Sequence, residues 1–196
     1  MLITGSLFKT KLMKMVSWTT TPMVQNNACV KSIRTNNMKS TCDISDEMHP
    51  NVQYLKPIFQ SFGKKNNFSG RIVTIKCFED NSLVEEALNT NGNECVLVID
   101  AGSSLQCAMM GDKRATDAIK NKWEGIIING AIRDSAQINT MNIGISALGT
   151  CTRKSIKNGV GKRGLDVSFS NVKFTPGHYL YADEDGVIVI ENKADE

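Results

Sequence analysis

The run Cys95-Val-Leu-Val-Ile-Asp100 constrains this chain more than any other stretch, because it is apolar without alternation. A strand with one wet face alternates polar and apolar residues. A strand without alternation needs cover on both faces, as in the interior of a sheet sandwiched between layers. A second run, Gly125-Ile-Ile-Ile-Asn129, has the same character. It is preceded by Met110-Gly-Asp-Lys-Arg and a helix-like segment, Ala115–Trp123, within a helix expected over Asp112–Trp123. It is followed by Gly130-Ala-Ile-Arg-Asp134. A helix that packs back along this strand places its N-terminus on the same side of the sheet as the strand's C-terminal end. That geometry gathers Gly111, Asp112, Arg133 and Asp134 in one small region.

The remaining pattern is that of a mixed α/β domain with many strands and few helices. Arg71–Phe78 is β-branched and alternating, as a strand should be. Ser82–Thr90 carries Leu83, Val84, Ala87 and Leu88 at helical spacing, with Asn81 as a cap and Asn91-Gly92 as a stop. A short first helix is expected after Thr41, capped by Asp43 or Ser45. Tyr54, Leu55, Ile58 and Phe59 also recur at helical spacing, although Pro57 limits them to a short or irregular element. Gln106–Met110 and Ile143–Leu148 read as strands, and Ser135–Thr140 as a short element. Asp166–Phe169 and Val172–Phe174 alternate about Ser170-Asn171, the signature of a hairpin. Tyr179–Ala182 and Gly186–Ile190 close the chain as strands, joined by a solvated acidic turn, Asp183-Glu-Asp-Gly186.

Charge separates the chain into two parts. Residues 1–42 hold six Lys/Arg and no acid, whereas residues 43–196 hold seventeen Lys/Arg against twenty Asp/Glu, a net of −3. The expected organisation is a basic N-terminal extension over 1–39 and a folded domain over 40–196. The extension reads either as a mitochondrial-type targeting segment or as a basic tail, with translation starting at Met38 as another reading. A mildly acidic body argues against nucleic acid as a direct partner. No apolar run reaches the ~18 residues of a membrane span. Six cysteines without a C-x-x-C pair, and two histidines, disfavour a zinc site of the usual spacing. Cys77, Cys95 and Cys107 read as small core residues in a reducing compartment. A cytoplasmic location is expected, or a mitochondrial one if the extension is a targeting segment.

Most motif-like features carry little chemistry. Gly159-Val-Gly-Lys-Arg-Gly164 matches G-x-G-x-x-G, but strand-like alternation follows it where a dinucleotide loop needs a helix, so it reads as a surface loop. No Ser/His/Asp arrangement has the strand–turn–helix context of a nucleophile elbow. The Gly111, Asp112, Arg133 and Asp134 set differs. Amides at a helix start have free donors and a favourable dipole for a carboxylate. Arg133 offers a planar fork for a second carboxylate or an enolate oxygen. Asp134 offers a hard oxygen to Mg²⁺ or Mn²⁺, ions that keep several waters, and Asp112 is placed to hold one of those waters. An Arg-Asp pair at a strand end also occurs as a plain structural ion pair, and the residues alone leave both readings open.

Several stretches in one register resemble the RraA-like family. They include Cys42-Asp43, Phe68-Ser-Gly70, Val73–Asn81, Val96–Asp100, Trp123-Glu-Gly-Ile, Asn129–Asp134, Asn142-Ile-Gly144 and Tyr181-Ala-Asp183 with Asp185-Gly-Val187. That family contains the bacterial regulator of ribonuclease E activity A and the class II 4-hydroxy-4-methyl-2-oxoglutarate (HMG) aldolases. The resemblance implies a swivelling β/β/α-type fold and a ring-shaped homotrimer with active sites between subunits. The aldolase signature, Asp, twenty residues, Arg-Asp, falls on Asp112, Arg133 and Asp134. It implies that Gly111, Asp112, Lys113, Arg114 and Arg133 hold the pyruvyl part of a small 2-oxo acid. In the same way Arg133 and Asp112 would be catalytic, and Asp134 would bind a divalent cation, Mg²⁺ or Mn²⁺. The implied activity is retro-aldol cleavage with secondary oxaloacetate decarboxylation. The alternatives are a non-catalytic regulator that binds and inhibits a ribonuclease, and a lyase for another 2-oxo acid. The regulators typically lose the Asp after the Arg, and this chain keeps it. There are two departures from the aldolase pattern: Gln137 replaces an acid three residues after Asp134, and Lys113-Arg114 replace apolar residues.

Overall fold

Both apolar runs become interior strands of one sheet. The fold is taken from a computed structural model, which describes residues 39–93 and 95–194. In chain order the described elements are α1 (Thr41–Met48), β1 (Gln53–Tyr54), β2 (Gln60–Phe62), β3 (Phe68–Lys76), α2 (Ser82–Leu88), β4 (Cys95–Asp100), β5 (Ala108–Met110), α3 (Asp112–Lys120), β6 (Gly125–Ile132), α4 (Ser135–Ile138), β7 (Gly144–Thr150), β8 (Lys162–Arg163), β9 (Val167–Phe169), β10 (Val172–Phe174), β11 (Tyr179–Ala182) and β12 (Val187–Ile190). The main sheet runs β1-β12-β11-β3-β4-β6-β7-β2. Its central strands β3, β4, β6 and β7 are parallel, and the flanking strands pair antiparallel. This is the mixed α/β architecture expected from the sequence, with many strands and few helices. Among the described residues, no helix is long and apolar enough to cross a membrane.

The central strands carry no alternation because each face meets a different layer. Leu97 and Ile99 of β4 and Ile126 and Ile128 of β6 pack with Val84 and Leu88 of α2 and Ala115 and Ala118 of α3. Val96, Val98 and Ile127 point the other way, onto Val167, Val172 and Phe174 of the β9–β10 hairpin. Full burial of a Val, Leu or Ile side chain stabilises the fold by about 1.5–3 kcal/mol, so these two strands anchor both layers. A third, smaller cluster joins Ile44 of α1 to Ile188 and Ile190 of β12.

The hairpin forms as its alternation predicts. Phe169 pairs with Val172, and both turn residues, Ser170 and Asn171, have positive φ (48° and 67°), the geometry whose twist suits a two-residue loop. Elsewhere the elements shift. The cap of α1 is Ser40, whose hydroxyl accepts from the Asp43 amide, rather than Asp43 or Ser45. Residues 53–62 form two short strands instead of a helical piece, because β1 and β2 are taken up at the two edges of the sheet. β3 begins three residues earlier than its β-branched core, and β6 runs on to Ile132 through a register shift after Ile128. The acidic turn is not simply solvated: the Asp183 carboxylate accepts from the Thr41 amide (2.8 Å) and hydroxyl (2.7 Å), which fastens α1 to β11. The basic extension expected over residues 1–39 lies, apart from Lys39, outside the described residues.

Asp80 is 1% exposed and holds the long segment between β7 and β8 against α2. Its two oxygens accept from the amides of Ser82 (2.8 Å), Asn158 (2.7 Å) and Val160 (3.1 Å). Burial pushes its carboxyl up, but the Ser82 hydroxyl and the amides of Ser82, Val160 and Asn158 outweigh burial and hold it at about 2, below the ordinary 3.8. A depressed folded value means that this stabilisation is complete above pH 4 and is lost as pH falls towards 2. In Asp80→Asn the loss of stability between pH 4 and pH 2, followed by chemical denaturation, should be shallower than in wild type. Asp80→Ala should cost about 2–4 kcal/mol at neutral pH, because it leaves buried amides without acceptors.

Candidate functional site

Two stretches of chain meet at the C-terminal end of the sheet. β5 pairs in parallel with β6, Met110 lying beside Ile132, and the Arg133 amide donates to the Met110 carbonyl at 2.9 Å. Gly111 therefore lies beside Arg133 and Asp112 beside Asp134. α3 is the crossover helix of this β5–α3–β6 unit. The juxtaposition expected from a helix packing back along its strand is present, but strand pairing is what sets it.

Gly111 owes its place to space rather than to backbone freedom. Its backbone is extended (φ −141°, ψ −164°), a conformation open to any residue. A Cβ there would sit 2.3 Å from Asp134 Oδ2 and 3.1 Å from Arg133 Cγ. Asp134, by contrast, takes the left-handed conformation (φ 56°, ψ 34°) that most non-glycine residues avoid and that Asp tolerates better than most. This turn is what directs its carboxylate back to Gly111. Oδ2 lies 3.3 Å from Arg133 Nε and 3.4 Å from the Asp112 amide. Oδ1 has no hydrogen-bond donor among the described residues.

The Arg133 and Asp134 side chains are 41% and 38% exposed, so their mutual attraction is screened and contributes little to stability. Both remain open to a solute. The Asp112 carboxylate accepts from the Lys113 amide at 2.7 Å, and Lys113 itself is exposed. Gln137 lies exposed on α4. Arg114, part of the loop expected to hold the pyruvyl moiety, turns its side chain into the protein. Its guanidinium is only 18% exposed and pairs with Glu85 of α2 (2.6 Å) and Asp117 of α3 (2.8 Å). Glu85 had no signal in the sequence, since its partners lie on other elements. Gly159–Gly164 is exposed and contains β8, which pairs with β3; as its flanking pattern indicated, no helix follows it.

Among the described residues no group of three or more His, Cys, Asp or Glu side chains could enclose a metal. The donors at this site still fit a hard divalent cation. Asp134 presents a carboxylate oxygen with no competing donor, Asp112 adds a second carboxylate nearby, and Mg²⁺ commonly uses one or two carboxylates and leaves its other positions to waters and substrate oxygens. What gathers here is two carboxylates, an arginine and the start of a helix.

Comparison with known proteins identifies the family of the fold. The family model RraA-like (Aldolase/RraA) matches residues 41–189. A protein of Aromatoleum aromaticum named "Putative 4-hydroxy-4-methyl-2-oxoglutarate aldolase" is 49% identical over 78% of this chain and 96% of its own length. One of the same name from Dechloromonas aromatica is 51% identical over 76% of this chain and 91% of its own. Among solved structures, the RNA-processing inhibitor RraA from Thermus thermophilus superposes with a TM-score of 0.78 at 35% identity, covering 81% of this chain and 96% of that one. A structure from Geobacillus kaustophilus described as an S-adenosylmethionine:2-dimethylmenaquinone methyltransferase gives 0.76 at 44% identity, over 79% of this chain and 96% of that one.

Because Gly111 leaves room for Asp134, Gly111→Ala should force the Asp134 carboxylate or the α3 start to move. The expected loss is about 1–3 kcal/mol, the usual range for overpacking, read as a lower midpoint in thermal denaturation.

Proposed function

The chain belongs to the RraA-like family, and from that premise we propose that it is a divalent-metal-dependent lyase. Its substrate in this reading is 4-hydroxy-4-methyl-2-oxoglutarate, cleaved to pyruvate by a retro-aldol reaction. Oxaloacetate is decarboxylated at the same site as a secondary activity. The observation that carries this reading is the convergence of Asp134, Arg133 and the Asp112 amide around the space left by Gly111.

In this reaction the C3–C4 bond breaks, the C4 hydroxyl becomes the carbonyl of one pyruvate, and the bonding electrons pass to C3 as the enolate of the other. In oxaloacetate the departing group is CO₂ and the same enolate remains. The guanidinium of Arg133 faces the oxygen on which negative charge develops and holds it as the bond breaks. The start of α3, beside Gly111, turns its positive dipole end towards the substrate carboxylate, and the Asp112 amide, whose 3.4 Å link to Asp134 is long, is the donor placed to meet it. The Asp112 carboxylate holds the water that takes the C4 hydroxyl proton and returns a proton to C3. Asp134, with Asp112 beside it, would hold Mg²⁺ or Mn²⁺, which supplies Lewis acidity. Lys113 is the exposed cation next to the cradle and suits a substrate with a second carboxylate. The assembly in this reading is a homotrimer with sites between subunits, and size-exclusion chromatography with light scattering should give three times the 21.5 kDa chain mass.

Similarity to an RNA-processing inhibitor supports a second reading, a regulator that binds a ribonuclease without turnover. Pyruvate release separates the two. The enzyme reading predicts turnover of HMG or oxaloacetate with Mg²⁺ or Mn²⁺, loss with a chelator, and recovery on adding the metal back. Asp134→Ala should lower kcat by about 100-fold or more while far-UV circular dichroism stays unchanged. A wild-type protein that turns over neither substrate with any divalent metal, yet inhibits a ribonuclease, would favour the regulator.

A further inference from the structure

In the proposed site the start of α3 is the anion-binding edge, and among the described residues its only side-chain acceptor within the helix is Asp112, which meets the Lys113 amide at 2.7 Å. Gly111 is the N-cap residue and brings no side-chain oxygen. The link from the Asp112 amide to Asp134 is long, at 3.4 Å. The first turn is held instead from outside by Arg114. Its guanidinium spans the gap between two helices, reaching Glu85 Oε1 on α2 at 2.6 Å and Asp117 Oδ2 one turn further along α3 at 2.8 Å. Glu85 is itself braced by Lys157, whose ammonium contacts its second oxygen, and the segment carrying Lys157 is pinned to Asp80 through the amides of Asn158 and Val160. Lys157 and Arg114 both draw the Glu85 carboxyl below its ordinary range, so it stays charged at neutral pH. Arg163 adds a parallel tie from β8 to Glu86 at 2.6 Å and to the Leu83 carbonyl at 3.1 Å.

We infer that Glu85 and Arg114 are positioning residues that fix where the amides of Gly111–Lys113 point. They touch no reacting atom in this arrangement. Their work is to lock the first turn of α3 to α2, and through Lys157 to the segment between β7 and β8. Arg114 suits this task because its two terminal nitrogens reach two carboxylates on different helices at once as ion pairs, whereas a lysine ammonium is a single point charge. The functional part of the inference rests on the reading of Gly111–Arg133 as the site for a 2-oxo acid. The mechanical part does not.

Two measurements on the full chain test it. The first is binding of oxalate, a planar dicarboxylate that mimics the pyruvate enolate, in the presence of Mg²⁺, together with kcat and KM for oxaloacetate. Arg114→Leu and Glu85→Gln should each weaken oxalate and raise KM by roughly 5- to 10-fold while kcat stays within about 2-fold, with Arg114→Lys falling between. The second is amide hydrogen exchange by mass spectrometry. Arg114→Leu should speed exchange in the peptide spanning residues 111–117 and leave the β9–β10 hairpin unchanged. Unchanged exchange at 111–117 would overturn the inference, as would a uniform rise across the molecule. A local rise with wild-type oxalate affinity would overturn its functional part. If wild type itself bound no oxalate, the proposed reaction would fail, and the exchange comparison would still decide the clasp.

Discussion

The parallel pairing of β5 with β6 makes one site out of two stretches of chain. Met110 lies beside Ile132, and both are buried. The next residue on each strand then leaves the sheet at the same level and on the same side. Gly111 meets Arg133 and Asp112 meets Asp134 because their neighbours are hydrogen-bonded, whatever their own attraction. The Arg133–Asp134 contact is too exposed to hold the arrangement together, so the apolar core beneath it must do so. The C-terminal end of parallel strands, with a helix start beside it, is where open α/β sheets generally bind ligands.

Three aspartates show how surroundings divide one chemistry into different tasks. Asp80 is fully enclosed and each of its oxygens is met by amide donors, so it acts as a rivet for the segment before β8. Asp183 is partly enclosed; burial raises its carboxyl, and the donors from Thr41 and its own turn outweigh that and lower it, fastening α1. Asp134 is the exception. It sits in a left-handed turn at the molecular surface and keeps one oxygen without a donor among the described residues. Its left-handed backbone and its donor-free oxygen leave this carboxylate, unlike the other two, without a fastening task in the fold.

The legible parts of this chain were those in which local chemistry and burial agree. The unalternating β4 and β6 runs required two covering layers and received α2 and α3 on one face and the β9–β10 hairpin on the other. Ser170-Asn171 stated its turn because alternation on both sides left these two residues for the loop, where both take positive φ. Less legible were residues 53–62, where helical spacing of apolar residues gave way to sheet edges that had room for short strands. Arg114 could not be placed from its neighbours in sequence: beside Asp112 it resembles a substrate cation, and only the packing of α2 on α3 brings Glu85 to it.

The sequence by itself determined the class of the fold, the family, and the residue types at the candidate site. Unbroken apolar runs admit few solutions, and Asp112, Arg133 and Asp134 keep a spacing tied to one βαβ unit. Tertiary structure alone decided which of the neighbouring charges face that site and which face the protein. It turned Arg114 inward, left Lys113 outside, and aimed Asp134 at the gap above Gly111. The reason is that long charged side chains are directed by partners brought close in space, and those partners lie on elements far away along the chain.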